Sequence, residues 1–135
     1  MTSKQYLSQA FHIDQRINSK MEQIESLRSM LTKTGVTMSD MPGNPNKDRS
    51  RLEETFVKIM TMEDSVNKDL NRLIDLRNEI MTAIKGVDDL QCQMVLELRY
   101  LCFHTWEDIA IDLNCSVRNV HLLHGRALGM IKVPG

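Results

Sequence analysis

In the last third of this 135-residue chain, Cys102, His104, Cys115, His121 and His124 have side chains that could ligate a metal. A structural zinc site takes its cysteines in pairs two to four residues apart, and Cys92, Cys102 and Cys115 are all farther apart than that. His121 and His124 share a helix face but have no such pair to complete a tetrahedral site. A Gly-rich phosphate loop, a serine elbow and a metal-ligand helix motif are all lacking. The expectation is therefore no enzyme, no metal and no cofactor, with the cysteines acting as small buried apolar residues. What remains is recognition chemistry. Arg118 can pair with guanine and Asn119 with adenine through two hydrogen bonds each. Ser116, His124 and Arg126 are placed for phosphate. Val117, His121 and Leu122 complete the candidate DNA-contacting set.

Those residues need a frame, and "TWEDIAIDLNCSVRNV" (Thr105–Val120) supplies one. Thr105 can cap a helix by accepting the amide of Asp108, and Asp108 can reach back to it. The helix from Trp106 to Leu113 should bury Trp106, Ile109, Ala110 and Leu113. Ala110 is small where two helices must approach. Asn114, four positions later, tolerates the left-handed conformation of a sharp turn. Ser116 then caps a second helix running to about Lys132, anchored by Val120, Leu123 and Ala127. This spacing fits a helix-turn-helix. Ahead of it, a helix over Asp88–Phe103 should bury Leu90, Met94, Leu98 and Leu101 on one face.

The first two thirds read as two long helices, about 4–33 and 46–85, separated by the turn-rich "TGVTMSDMPGNPNK". The first seam is Ala10, Ile13, Ile17, Lys20, Ile24, Leu27 and Leu31. The second is Leu52, Phe56, Ile59, Glu63, Val66, Leu70, Leu73, Arg77, Ile80 and Ile84, with Gly86 as the stop. Such helices make an antiparallel hairpin, in which the long side chains of Glu63 and Arg77 snorkel to the edge of the seam or, as a registry device, Glu63 meets Lys20 across it. The expected fold is all-α. A two-helix coiled-coil hairpin over 1–86 precedes a three-helix DNA-binding domain over 87–135.

Composition bounds the function. Only six residues are aromatic, so Leu, Ile and ten Met carry the core. No run of eighteen apolar residues occurs and "MTSKQYLSQ" lacks the apolar core of a signal peptide, so a cytoplasmic chain without membrane binding is expected. The odd number of irregularly spaced cysteines also suits a reducing compartment. Net charge is −1. From Val87 onward, Arg99, Arg118, Arg126 and Lys132 face six acids, a net of −2. The stretch Ser116–Lys132, however, holds three cations and no acid. A single head should therefore bind DNA weakly, with a dimer or RNA polymerase adding the rest.

The segment "LELRYLCFHTWEDIAIDLNCSVRNVHLLHGRAL" resembles region four of bacterial sigma factors, the domain that reads the upstream promoter element. Together with "YLSQAFHIDQRINSKMEQIESLRSM", the chain resembles small prophage proteins grouped with the ArpU and RinA type regulators of late packaging and lysis genes. Val117 and Leu122 depart from the sigma pattern, which has polar residues there. The resemblance implies a sequence-specific transcription regulator binding double-stranded DNA, with RNA polymerase as a further candidate partner; the heptad seams and the weakly charged head add a homodimer, and no small-molecule substrate is expected. The alternative is a coiled-coil adaptor that binds polymerase or another regulator without reading DNA.

Overall fold

A computed structural model describes residues 1–38 and 45–134, with side chains outside 33–48. The protein is all-helical, and no strand occurs among the described residues. Two long helices, α1 (Ser3–Met38) and α2 (Pro45–Lys85), precede α3 (Leu90–Leu96), α4 (Trp106–Asp112) and α5 (Val117–Met130). A π turn over Glu97–Leu101 extends α3. The middle of the expected break, residues 39–44, lies outside the described residues. Among the described residues no helix is long and apolar enough to cross a membrane.

The chain forms two compact units, one of Met1–Asp14 with Arg72–Gly135 and the other of Gln15–Asn71. This division differs from the expected one at residue 86. The start of α1 and the end of α2 belong with the short helices because their apolar residues are needed there. Leu7, Ala10, Ile80 and Ile84 are fully buried in that unit, as are Val95, Leu96, Ile109 and Val120. Each large side chain so buried contributes roughly 1.5–3 kcal/mol. The first turn of α1 is closed by a reciprocal cap: Gln5 N donates to Thr2 Oγ1 (3.1 Å) and Thr2 N donates to Gln5 Oε1 (2.9 Å).

In the unit Gln15–Asn71, Ile17 and Ile24 of α1 and Ile59 and Val66 of α2 are buried. Lys20 Nζ donates to Asp69 Oδ2 (2.7 Å) and to Ser65 Oγ (2.6 Å). Arg28 pairs with Glu63. Of the two readings of the seam charges, the Lys20–Glu63 pair is replaced by two others, and the reason is phase. Phe56 and Leu70, placed in the α2 seam from sequence, are exposed, whereas Leu76 is buried and Thr55, Met62 and Asp69 are half-buried. The inward rhythm runs 52, 55, 59, 62, 66, 69, 73, 76, 80, so alternate seam positions lie one residue earlier than expected. Asp69 therefore sits inside the seam opposite Lys20.

As expected, α2 stops at Lys85, directly before Gly86, although Gly86 does not adopt positive φ; the turn is closed by Gly86 N to Ala83 O (3.2 Å) and Val87 N to Ile84 O (2.9 Å). One further expectation is corrected. The helix expected over Asp88–Phe103 is not uniform. Leu90 is exposed, as is Met94, while Cys92, Val95, Leu96, Tyr100 and Leu101 are buried. In an unbroken α-helix the next inward residue after Val95 and Leu96 would be Arg99. The extra residue of the π turn brings Tyr100 and Leu101 inward instead.

Candidate nucleic-acid interface

The route into α5 follows the local chemistry of its residues. Asp89 caps α3 by accepting from Cys92 N (3.0 Å). After the π turn, Phe103 takes φ 59° and His104 N donates to Leu98 O (3.0 Å), ending the helix in a left-handed turn. Thr105 Oγ1 accepts Asp108 N (3.1 Å) and starts α4. Asn114 has φ 54°, as its side chain permits, while Cys115 N donates to Ala110 O (3.0 Å). Ser116 Oγ then accepts Asn119 N (3.0 Å), starting α5. Each cap substituted by Ala would cost about 0.5–2 kcal/mol.

Both α3 and α4 pack on α5. Val120 and Ala127 are fully buried and Leu123 nearly so, with Ile109 and Ala110 buried on α4. Trp106 and Leu113 are only half-buried. Trp106 is nevertheless the hub of the unit. Its ring lies 4.7 Å from both His121 and His124, and the Arg99 guanidinium stands 4.2 Å over it. Arg99 Nη1 also donates to His104 O (2.9 Å), holding the left-handed turn.

His124 does not meet phosphate. It is only 7% exposed, and its Nε2 lies 2.6 Å from the Tyr100 hydroxyl. Burial, with the nearby positive charges of Lys4 and Arg99, lowers its pKa to about 4. Its physical role is that of a neutral core residue joining α5 to the π turn. Burial likewise raises the pKa of Tyr100. Of the three cysteines, only Cys92 is buried; Cys102 is exposed and Cys115 half-buried.

The other candidates reach the surface. Ser116, Arg118, Asn119, His121, Leu122 and Arg126 are exposed and Val117 is half-buried. At about 3.6 residues per turn, Arg118, Leu122, Gly125 and Gly129 form one outward stripe. Asn119 and Arg126 flank it on one side and His121 on the other. A Cβ added at Gly125 or Gly129 would meet nothing within 4 Å, so this stripe is unobstructed. No carboxylate lies on α5. Sequence reasoning missed the two glycines and Arg99; the glycines were legible as poor helix formers retained in a helix interior.

Residues 37–130, more than half of the chain, match the family "Protein of unknown function (DUF1492)". The chain belongs to that family. No curated protein and no solved structure matches it.

Proposed function

We propose that this DUF1492 protein is a sequence-specific DNA-binding transcription regulator in which α4 and α5 act as a helix-turn-helix and α5 enters the major groove. The observation that carries the reading is the outward stripe of α5. It is free of acids, carries Arg118 with Asn119 and Arg126 flanking it, and has glycines where close approach to a phosphate backbone needs space. The resemblance to sigma region four and to ArpU and RinA type regulators supports control of phage late genes, with RNA polymerase as a partner. Two half-sites would need two copies, and exposed Phe56 and Met60, one turn apart on α2 of the proposed hairpin, offer a second copy apolar surface to cover.

A second reading is an adaptor that binds protein through the same face. Exposed Ile111 on α4 and Leu122 on α5 favour it, since a DNA backbone gains little from either. Selection of bound duplexes from a random pool, followed by binding of the selected site at rising salt, separates the two. A regulator enriches a defined site, and log K falls linearly with log salt. No enrichment together with a flat salt response would overturn DNA reading and leave the adaptor.

A further inference from the structure

The first turns of α1, the π turn and the start of α4 line a cleft of about 320 Å³, of a size that encloses a small organic ligand. Phe11, Phe103 and Trp106, with the buried Tyr100 beside them, form its aromatic walls, and Phe11 meets Phe103 edge to face at 5.6 Å. Lys4, His12 and Arg99 supply its basic lining, Ser8 and Thr105 add hydroxyls, and no carboxylate lines it. Among the described residues neither Lys4 nor Arg99 forms a salt bridge. Two cations therefore share a partly enclosed space whose lining holds no anion, Arg99 being held there by Trp106 and His104 O. Their field reaches the next layer, where both disfavour protonation of His124. The backbone that builds the cleft is also unusual. The π turn brings Arg99 over Trp106, and left-handed Phe103, a conformation costly for a bulky residue, brings its ring to Phe11.

We propose that this cleft binds a small aromatic anion, a planar ring bearing a carboxylate. The ring would lie among Phe11, Phe103 and Trp106 and the carboxylate would meet Lys4 and Arg99. A neutral ring would leave the two charges uncompensated, and a bare anion would leave the aromatic walls wet. The site is independent of whether α5 meets DNA.

Trp106 is the only tryptophan of the chain, so its fluorescence reports the cleft directly. Full-length protein is titrated with benzoate, and in parallel with benzamide, acetate and inorganic phosphate at constant ionic strength. Calorimetry serves as the second readout. Benzoate should give a saturable change with Kd of about 1 mM or tighter, a modest demand for so small a ligand. The other three should bind at least about tenfold more weakly, a difference of about 1.4 kcal/mol. Lys4→Met and Phe11→Ala, both at exposed positions, should each weaken benzoate at least about fivefold while circular dichroism shows the fold retained. No saturable response to benzoate overturns the site. Benzamide or phosphate binding as tightly as benzoate overturns the ligand class, and undiminished affinity in the Lys4→Met variant overturns the placement of the carboxylate.

Discussion

Tyr100 and His124, from the π turn and α5, hold their hydroxyl and Nε2 2.6 Å apart in the buried layer beneath the outward stripe. This bond makes the position of α5 depend on an uncharged imidazole. The folded His124 titrates at about 4 against an ordinary 6.5, so the unfolded chain binds a proton first as pH falls. The stabilisation is complete above pH 6.5 and is lost as pH falls through that window towards about 4, with a total on the order of 3 kcal/mol. Thermal unfolding across this range should show the loss. His124→Gln should be less stable at pH 7 yet flatter between pH 6.5 and 4.5, and parallel profiles for the two proteins would refute the role. Tyr100→Phe, which strips the imidazole of its partner, should cost about 1–3 kcal/mol.

Arg118→Ala and Asn119→Ala should each lose about 1–3 kcal/mol of binding to the selected DNA site without altering the melting temperature. Arg126→Ala should weaken all duplexes about equally and reduce the salt slope by about one phosphate contact. Gel-shift titrations at several salt concentrations measure all three. A double Arg118/Asn119 variant that keeps its site preference would exclude the proposed orientation of α5.

Gly125 and Gly129 are helical, exposed and unopposed, so alanine fits both. Each Gly→Ala change should stabilise the protein by about 0.5–1 kcal/mol. If a phosphate backbone lies against the stripe, the same changes should weaken DNA binding. Denaturant unfolding and binding measured on the same variants give the two signs, and stabilisation with unchanged binding would place the ligand elsewhere on α5.

Lys20 and Asp69 are each less than one-fifth exposed and 2.7 Å apart. Removing one leaves the other charge half-buried, so Lys20→Met and Asp69→Leu alone should each destabilise by about 1–3 kcal/mol. The double variant should be more stable than the sum of the singles implies. A double-mutant cycle in urea measures the coupling, and additive losses would show that the pair is solvated and energetically idle.

A fragment starting at Val87 lacks Leu7, Ala10, Ile80 and Ile84, all fully buried in the unit that contains α3–α5. It should lack a cooperative unfolding transition in circular dichroism, whereas the full chain unfolds cooperatively. A sharp transition in the fragment would show that the short helices form a core without the long ones.

The turns around α4 were legible because single side chains determine them. Thr105 and Ser116 carry hydroxyls that cap, Asn114 tolerates the left-handed region, and Ala110 leaves room for α5. The long helices were legible for a similar reason, since an uninterrupted heptad pattern has one simple solution. Phase was less legible. In α2 the residues Phe56 and Leu70 are more apolar than Thr55 and Asp69, yet the inward positions are 55 and 69 because the seam is set by alternating spacing and by the partner Lys20. The π turn carries no composition signal; it shows only through packing, and it brings Tyr100 inward where Leu98 was expected. His124 was misplaced for the same kind of reason: a histidine on an amphipathic helix is polar by type, and only the tertiary partners Tyr100 and Trp106 make it a core residue.

The open stripe of α5 separates two kinds of selection. Arg118, Leu122, Gly125 and Gly129 point away from the residues that hold α5 in place, which are Val120, Leu123, His124 and Ala127. Changing the outward group leaves the inward group intact. The surface can therefore diversify one residue at a time without passing through an unfolded ancestor. A library randomised at 118, 119 and 122 should consist mostly of folded members.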